Sequence, residues 1–471
     1  MKKRRSDVYI KHVLEPQYTF TKEHFLGHIL EINIAHITML GKQKLVDKKE
    51  VRALRKELED MKQKGFQKEY SGEFEDLFFM IEHELNKRLG EDVAGNLHMA
   101  FSRNDMDATM YRMFWRNQLM KWMEGLVSLR NGVLALAEQH TDTVMPAYTH
   151  GQQAQPTTLA HYLLAVEENL KRDYDRAVAL YERINECPMG AVALSGTGFS
   201  VDRQFMSDRL GFTRVMGSTY DAISAGDYML ELASVISISL TTLSRFVHDL
   251  MFWASNEVDV LKLDDSLVQI SSVMPQKRNP SALEHTRAFI SRSFGQLRGV
   301  GDLLHNVPFG DIVDVGDDIQ EGLYKGFTGA MSVVSLLTEV IGNCSFNKQL
   351  MLKRCEEGFS TTTEIADRLV REFGIPFRQA HGITALFIKE LSEKGIIPVD
   401  SKAKGVLEGI VAEKTEKMLL ISEALYHEMI DPKMFIAVRT TPGGPAPEEV
   451  KKQIKRAKAR LLCGGDGSSA S

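Results

Sequence analysis

DAISAGDYMLELASVISISLTTLSRFVHDLMFWASN, residues 221–256, is the stretch that decides the fold class. Its apolar side chains include Met229, Leu230, Leu232, Val235, Ile236, Ile238, Leu240, Leu243, Phe246 and Val247. At helical spacing these cover nearly the whole circumference. A helix that is apolar on all sides has to be enclosed by other helices, so this segment predicts the centre of a bundle. Four further stretches carry the same 3.6-residue period: Asp105 to about His140, the run after Gln155-Pro156 to about Ile184, Pro280 to about Leu304, and Asp317 to about Ile341. All exceed the usual helix of about 11–12 residues. Period-2 runs are scarce, and the chain holds only 13 prolines. The expected fold is all-α, with a central long-helix bundle and smaller N- and C-terminal helical domains.

Composition narrows the function. Apolar residues are 43% and charged residues 26% of the 471, as in a globular chain with a substantial core. The formal charge of −5 argues against a broad basic surface and thus against a nucleic-acid partner. The basic start, Met1 to Arg5, is not followed by an apolar run, so it does not read as a secretory signal. The nearest thing to a membrane span, Tyr228 to Leu243, is interrupted by Glu231 and several hydroxyl residues, and no membrane partner is expected. Cys187, Cys344, Cys355 and Cys463 show no metal spacing and read as reduced thiols of a cytoplasmic protein.

Three polar clusters stand just before long helices: Leu97 to Asp105, Pro146 to Pro156, and Ser271 to Pro280. Helix starts offer unpaired N–H groups and a positive dipole end, which suit carboxylates. In the third cluster two adjacent hydroxyls, Ser271 and Ser272, are followed by Lys277 and Asn279, which can hold a carboxylate together. A hydroxyl takes up a proton only where strong local positive charge lowers its pKa. Locally this is a suggestive anion site, and an isolated Ser-Ser is more often a cap or turn device.

Taken together, the clusters resemble the fumarase/aspartase superfamily, and its argininosuccinate lyase branch in particular. The superfamily signature SSxMPxKxN is matched at every fixed position from Ser271 to Asn279. Ser102-Arg103-Asn104-Asp105 resembles the branch's first conserved region, and Tyr148-Thr149-His150 with Gln153-Ala154-Gln155-Pro156 its second. The likeness continues through Gly198 to Arg203, Thr219 to Ala222, Gly358 to Thr361, Ala380-His381 and Gly443 to Glu448, and is weakest over the first 90 residues or so.

The resemblance implies a carbon–nitrogen lyase that eliminates fumarate from an N-substituted L-aspartate. A base takes a proton beside a carboxylate, an aci-carboxylate carbanion forms, and the nitrogen leaves. Carried over position by position, Ser271 is the base, and Lys277 stabilises the intermediate together with Asn279. His150 assists proton transfer, with Glu284 as its acidic partner. Ser102, Arg103, Asn104, Thr149, Gln155, Ser272 and Met274 are placed around the substrate, and His98 matches a further family histidine. The resemblance also implies a homotetramer in which the three clusters meet from three subunits. It implies no metal and no organic cofactor; the partner is a small dicarboxylate. The expected division is residues 1–104, 105–355 with the signature loop, 356–463, and a flexible tail at 464–471.

Departures from the branch pattern are unevenly spread. The usual HTGRSRNDQ reads His98-Met99-Ala100-Phe101 before Ser102, which loses an arginine. The glycine before the serine pair is Ile270, and the usual SDRD is Ser224-Ala225-Gly226-Asp227. The segment usually reading YNKDLQEDKE carries Asp311, Asp314, Asp317 and Asp318 instead. Two of these, Asp317 and Asp318, also suit an ordinary helix start. Residues for the fumaryl half are kept and those for the arginine half are changed. The pattern leaves open argininosuccinate itself or another adduct, such as an aminocarboxylic acid of the ethylenediamine disuccinate type. A non-catalytic crystallin of the same branch is the alternative from another class.

Overall fold

In the computed structural model, residues 5–66, 68–416 and 418–465 are described. The architecture is all-α, 68% helical with few strands. The long helices run over Arg103–Glu138, Leu159–Ile184, Asp227–Trp253, Ser281–Leu304 and Asp317–Gly342. Most ends fall within two residues of the expected ones, because proline or acidic residues mark most of the starts; the helix at Leu159 starts with neither, since Pro156 lies in the preceding strand. The third helix begins later than expected. A short helix, Thr219–Ser224, capped by the Ser218 hydroxyl, ends before an extended Ala225. A Cβ on Gly226 would lie 2.7 Å from Leu304 and 2.8 Å from Val315, so the chain breaks where only glycine fits. The last helix, Pro447–Gly465, includes Gly464 and Gly465 of the expected tail; 466–471 lie outside the described residues.

Asp227–Trp253 covers the stretch that came nearest to a membrane span. Its most apolar window has a mean hydropathy of 1.4, so by length and composition it is able to cross a membrane. Half of that window is buried inside the protein, as a core helix requires.

The chain divides into two compact units. One comprises residues 1–125, 173–240 and 289–332. Its core holds Trp115, whose indole N–H donates to Gln320 at 2.8 Å, with Phe327 6.1 Å away. Gly326 lets its helix approach Leu297, which a Cβ would meet at 2.8 Å. The other unit comprises 126–172, 241–288 and 333–471. There Arg130 and Glu167 form a fully buried ion pair at 2.7 Å. The helices from Thr362–Phe373 to Glu423–Ile430 close over Leu369, Phe387 and Leu407.

Candidate active site

The serine loop is a small clasp. Gln269–Ile270 pairs antiparallel with Arg278–Asn279, so the signature residues between them form a closed turn. Pro275 and Pro280 keep it from joining the helix that starts at Ser281. Ser271 lies at the neck. Its N–H donates to the Lys277 carbonyl at 3.4 Å. Its Oγ accepts the main-chain N–H of Met274 at 3.0 Å and of Val273 at 3.3 Å. Two donors aimed at one hydroxyl oxygen stabilise negative charge there, which a serine base needs. Lys277 makes no ion pair among the described residues, and its side chain is exposed. Apolar neighbours are exposed as well: Ile270 at 65%, Val273 at 82% and Met274 at 44%.

The second cluster forms a β-hairpin, which helical periodicity alone did not reveal. Val144–Thr149 pairs with Gln152–Thr158, and Thr149 faces Gln152 across a two-residue turn. That turn is His150-Gly151, with φ of 54° and 74°. Positive φ at both turn residues matches the right-handed twist of the strands, and a glycine at the second makes it inexpensive. His150 therefore stands exposed at the tip of a rigid ribbon, with Thr149 beside it. Gln155, on the return strand, donates to the Thr363 hydroxyl at 3.0 Å. Glu284 is exposed on the first turn of Ser281–Leu304. No hydrogen bond or ion pair among the described residues joins His150 to Glu284 within one chain.

The first cluster caps Arg103–Glu138. The Ser102 hydroxyl accepts from the Asn104 N–H at 3.2 Å. Asp105 is fully buried. Its carboxylate accepts N–H groups of Ser102, Gly190 and Val192, each at 3.0 Å, so it ties the cap to the 190–192 turn. Burial pushes its pKa up to about 6, against the pull of those donors. The Arg103 guanidinium pairs with Asp76 and with Glu75 at 3.3 Å, and lies over the Phe79 ring. These acids stand 27 and 28 residues away in sequence, and no local pattern marks them.

Beside this cap opens a cavity of about 410 Å³, lined by Arg103, Asn104, Asp76, Asp107, Asp311 and Asp317 among others. Tyr111 donates its hydroxyl to Asp317 at 2.7 Å. Burial, and then the charges of Asp317, Asp76 and Asp311, hold the Asp107 carboxyl well above the usual range. Asp317 and Asp318 also occupy the first turn of their helix, so the cavity wall and the ordinary helix start share the same residues.

A general lyase family profile matches residues 30–295, and the C-terminal region of argininosuccinate lyase matches 359–436. Argininosuccinate lyase 2 of Agrobacterium fabrum is 36% identical over 96% of this chain and 90% of its own length. The chain belongs to the argininosuccinate lyase branch of the fumarase/aspartase superfamily. The argininosuccinate lyase of Methanosarcina mazei is 34% identical over 91% of the chain and 86% of its own. Among solved structures, EDDS lyase with formate superposes at a TM-score of 0.86, with 30% identity over 98% of this chain and 91% of that one. This lyase accordingly breaks a carbon–nitrogen bond and releases fumarate.

Within that branch the lyase has rebuilt the approach to its first conserved region. Phe101 replaces the usual arginine and stacks with Phe78 at 6.1 Å, with His98 5.6 Å away. His98 itself stacks on Phe78 at 4.7 Å and pairs with Glu82 at 3.4 Å, so its side chain is committed to this cluster. Ala100, where the branch has glycine, sits at a φ of 55°, a left-handed conformation that costs a residue with a Cβ about 1–2 kcal/mol.

His36 closes the cluster from below. Its Nε2 is 2.9 Å from the Met99 carbonyl and donates to it. Burial pushes its pKa from 6.5 down to about 4. Unfolding exposes an imidazole of ordinary pKa, which then takes up a proton. The stability it contributes is therefore complete above pH 6.5 and is lost as pH falls from there towards about 4. The expected loss across that window is about 3 kcal/mol. Denaturant midpoints of wild type and His36→Asn at a series of pH values check this: the two curves should converge as the solution becomes acidic. Parallel curves would show that His36 titrates as freely in the folded protein as in the unfolded one.

Proposed function

We propose that the fumarate-releasing reaction of this lyase acts on an adduct whose leaving group is a small cationic amine rather than arginine. The observation that carries the reading is the acid wall beside Arg103. Asp311 and Asp317 stand where the branch's arginine-binding segment and first conserved region converge, and Arg103 is already neutralised by Asp76 and Glu75. Such a wall attracts an ammonium group and repels a leaving group that carries its own carboxylate. Arginine brings both a guanidinium and a carboxylate, so a simple amine or diamine is the better fit. Binding energy from the part of the substrate that does not react sets this choice.

The chemistry assigned to the site follows the loop geometry. Ser271 removes the proton beside the carboxylate, its oxygen steadied by the N–H groups of Val273 and Met274. The electron pair moves into the carboxylate, where Lys277 and Asn279 balance the charge. It then returns to form the double bond of fumarate as the carbon–nitrogen bond breaks. His150, partnered by Glu284, helps the departing nitrogen gain its proton. Ser102, Asn104, Thr149, Gln155, Ser272 and Met274 hold the dicarboxylate, and Arg103 contributes from among its acidic partners.

The working unit in this proposal is a cytoplasmic homotetramer with the three-part domain division given above. Ser272 to Arg278 and His150 are open to water within one chain, whereas a carbanion intermediate needs a dry, preorganised setting. Exposed apolar residues on the long helix, Leu230 and Ile238, offer surface for neighbouring copies. The free thiols Cys187, Cys344 and Cys355 suit a reducing compartment.

Initial rates test the leaving group. Fumarate is supplied with ethylenediamine, simple monoamines, arginine and aspartate, and argininosuccinate cleavage is measured in parallel. Addition should be faster with an uncarboxylated amine than with arginine. Argininosuccinate turning over near the enzyme median of about 10 per second, with other adducts inert, would show that the arginine contacts are supplied elsewhere.

A further inference from the structure

Behind the His150 hairpin lies a second cavity, of about 750 Å³, whose wall includes Gln155 of the proposed dicarboxylate set but no other residue assigned to the elimination. Its wall is unusually aromatic. Tyr148 meets Phe252 edge to face at 5.6 Å, and Tyr162 meets Trp253 edge to face at 4.8 Å. Phe435 adds a fifth ring. Asp249 is the only acid among the lining residues. One of its oxygens accepts the Tyr162 hydroxyl at 2.6 Å, and the phenol is held neutral by burial and by that carboxylate.

The basic groups of this wall are mostly engaged. Arg439 pairs with Glu364 at 2.9 Å and covers the Phe435 ring. His161 uses one ring nitrogen on the Thr157 hydroxyl at 2.8 Å and the other on the Gly443 carbonyl at 2.9 Å. His248 lies at the exposed edge. What the cavity offers is a set of aromatic faces with a carboxylate beside them. That combination attracts a cation with an apolar body, because ring faces carry negative potential and the carboxylate completes the charge balance.

We propose that this cavity is a second ligand site, for an organic ammonium ion with a compact apolar body. Gly151 belongs both to its wall and to the turn that carries His150, so an occupant touches the hairpin directly. The site stands independently of the leaving-group reading, and its test uses a cation that cannot add to fumarate.

Choline is titrated into the intact protein while tryptophan emission is followed, with calorimetry in parallel. Of the three tryptophans, Trp115 and Trp122 are fully enclosed and Trp253 lines the cavity. A saturable change in emission is expected, absent in Trp253→Phe although calorimetric binding persists. The uncharged isostere 3,3-dimethyl-1-butanol should bind at least about tenfold more weakly. Asp249→Asn should weaken choline by a similar factor while leaving fumarate release near the wild-type rate. If that variant fails to fold, Phe252→Leu, at a residue 42% exposed, should weaken binding several-fold. No saturable response, equal affinity for the isostere, or unchanged affinity in these variants would overturn the proposal.

Discussion

Ser271→Ala should lower fumarate release by about 10²–10⁴-fold, the usual contribution of a positioned general base. Only a hydroxyl is lost, and it supports no other element of the fold. Its two hydrogen-bond donors, the Val273 and Met274 N–H groups, lie in an exposed turn where water can replace it. Circular dichroism, assembly state and thermal midpoint should therefore match wild type. The fall should appear mainly in kcat, because the hydroxyl acts on the transition state rather than on ground-state binding. Near-wild-type turnover in this variant would remove Ser271 from the role of base.

Mixing two inactive proteins gives the second large effect. His150→Asn keeps the hairpin turn, since asparagine tolerates positive φ. Ser271→Ala keeps the serine clasp. If each site draws its histidine and its serine from different chains, exchange of subunits creates sites that carry neither change. Random assortment in a closed symmetric oligomer makes about a quarter of the sites intact. Activity should climb from near zero towards that fraction of wild type as exchange proceeds. Exchange demonstrated with labelled subunits, but without returning activity, would place both groups of a site on one chain.

The sequence made the serine loop legible because its signature is local: hydroxyls, prolines, lysine and asparagine at fixed offsets. The long helices were legible for a related reason, since apolar period and acidic or proline starts are written along the chain. The break at Ala225-Gly226 was not, because what forbids a side chain there is Leu304 and Val315, some 80 or 90 residues on. The hairpin also escaped. Pro146 and Pro156 argue against strands, and His-Gly is a weaker turn signal than Asn-Gly. The structure places those prolines opposite each other in an isolated two-stranded ribbon, where a missing donor does little harm.

Around the first cluster, folding supplies partners that the local sequence does not mark. Asp105 proved to be a buried tie to the 190–192 turn, and Arg103 found its partners in Glu75 and Asp76. Both facts depend on chain segments brought together only by folding. The loss of the branch arginine at Phe101 was visible beforehand. What replaced it, an aromatic stack with Phe78 and His98, was not.

The open serine clasp carries a consequence for how this activity is switched on in a cell. Ser271 has its donors from its own turn, so the proposed base is prepared as soon as one chain folds. On the shared-site reading, the dry surroundings it needs arrive only with its neighbours. Output per chain would then rise with copy number: a sparse population is folded yet silent, and synthesis past the association threshold adds catalysis faster than it adds protein.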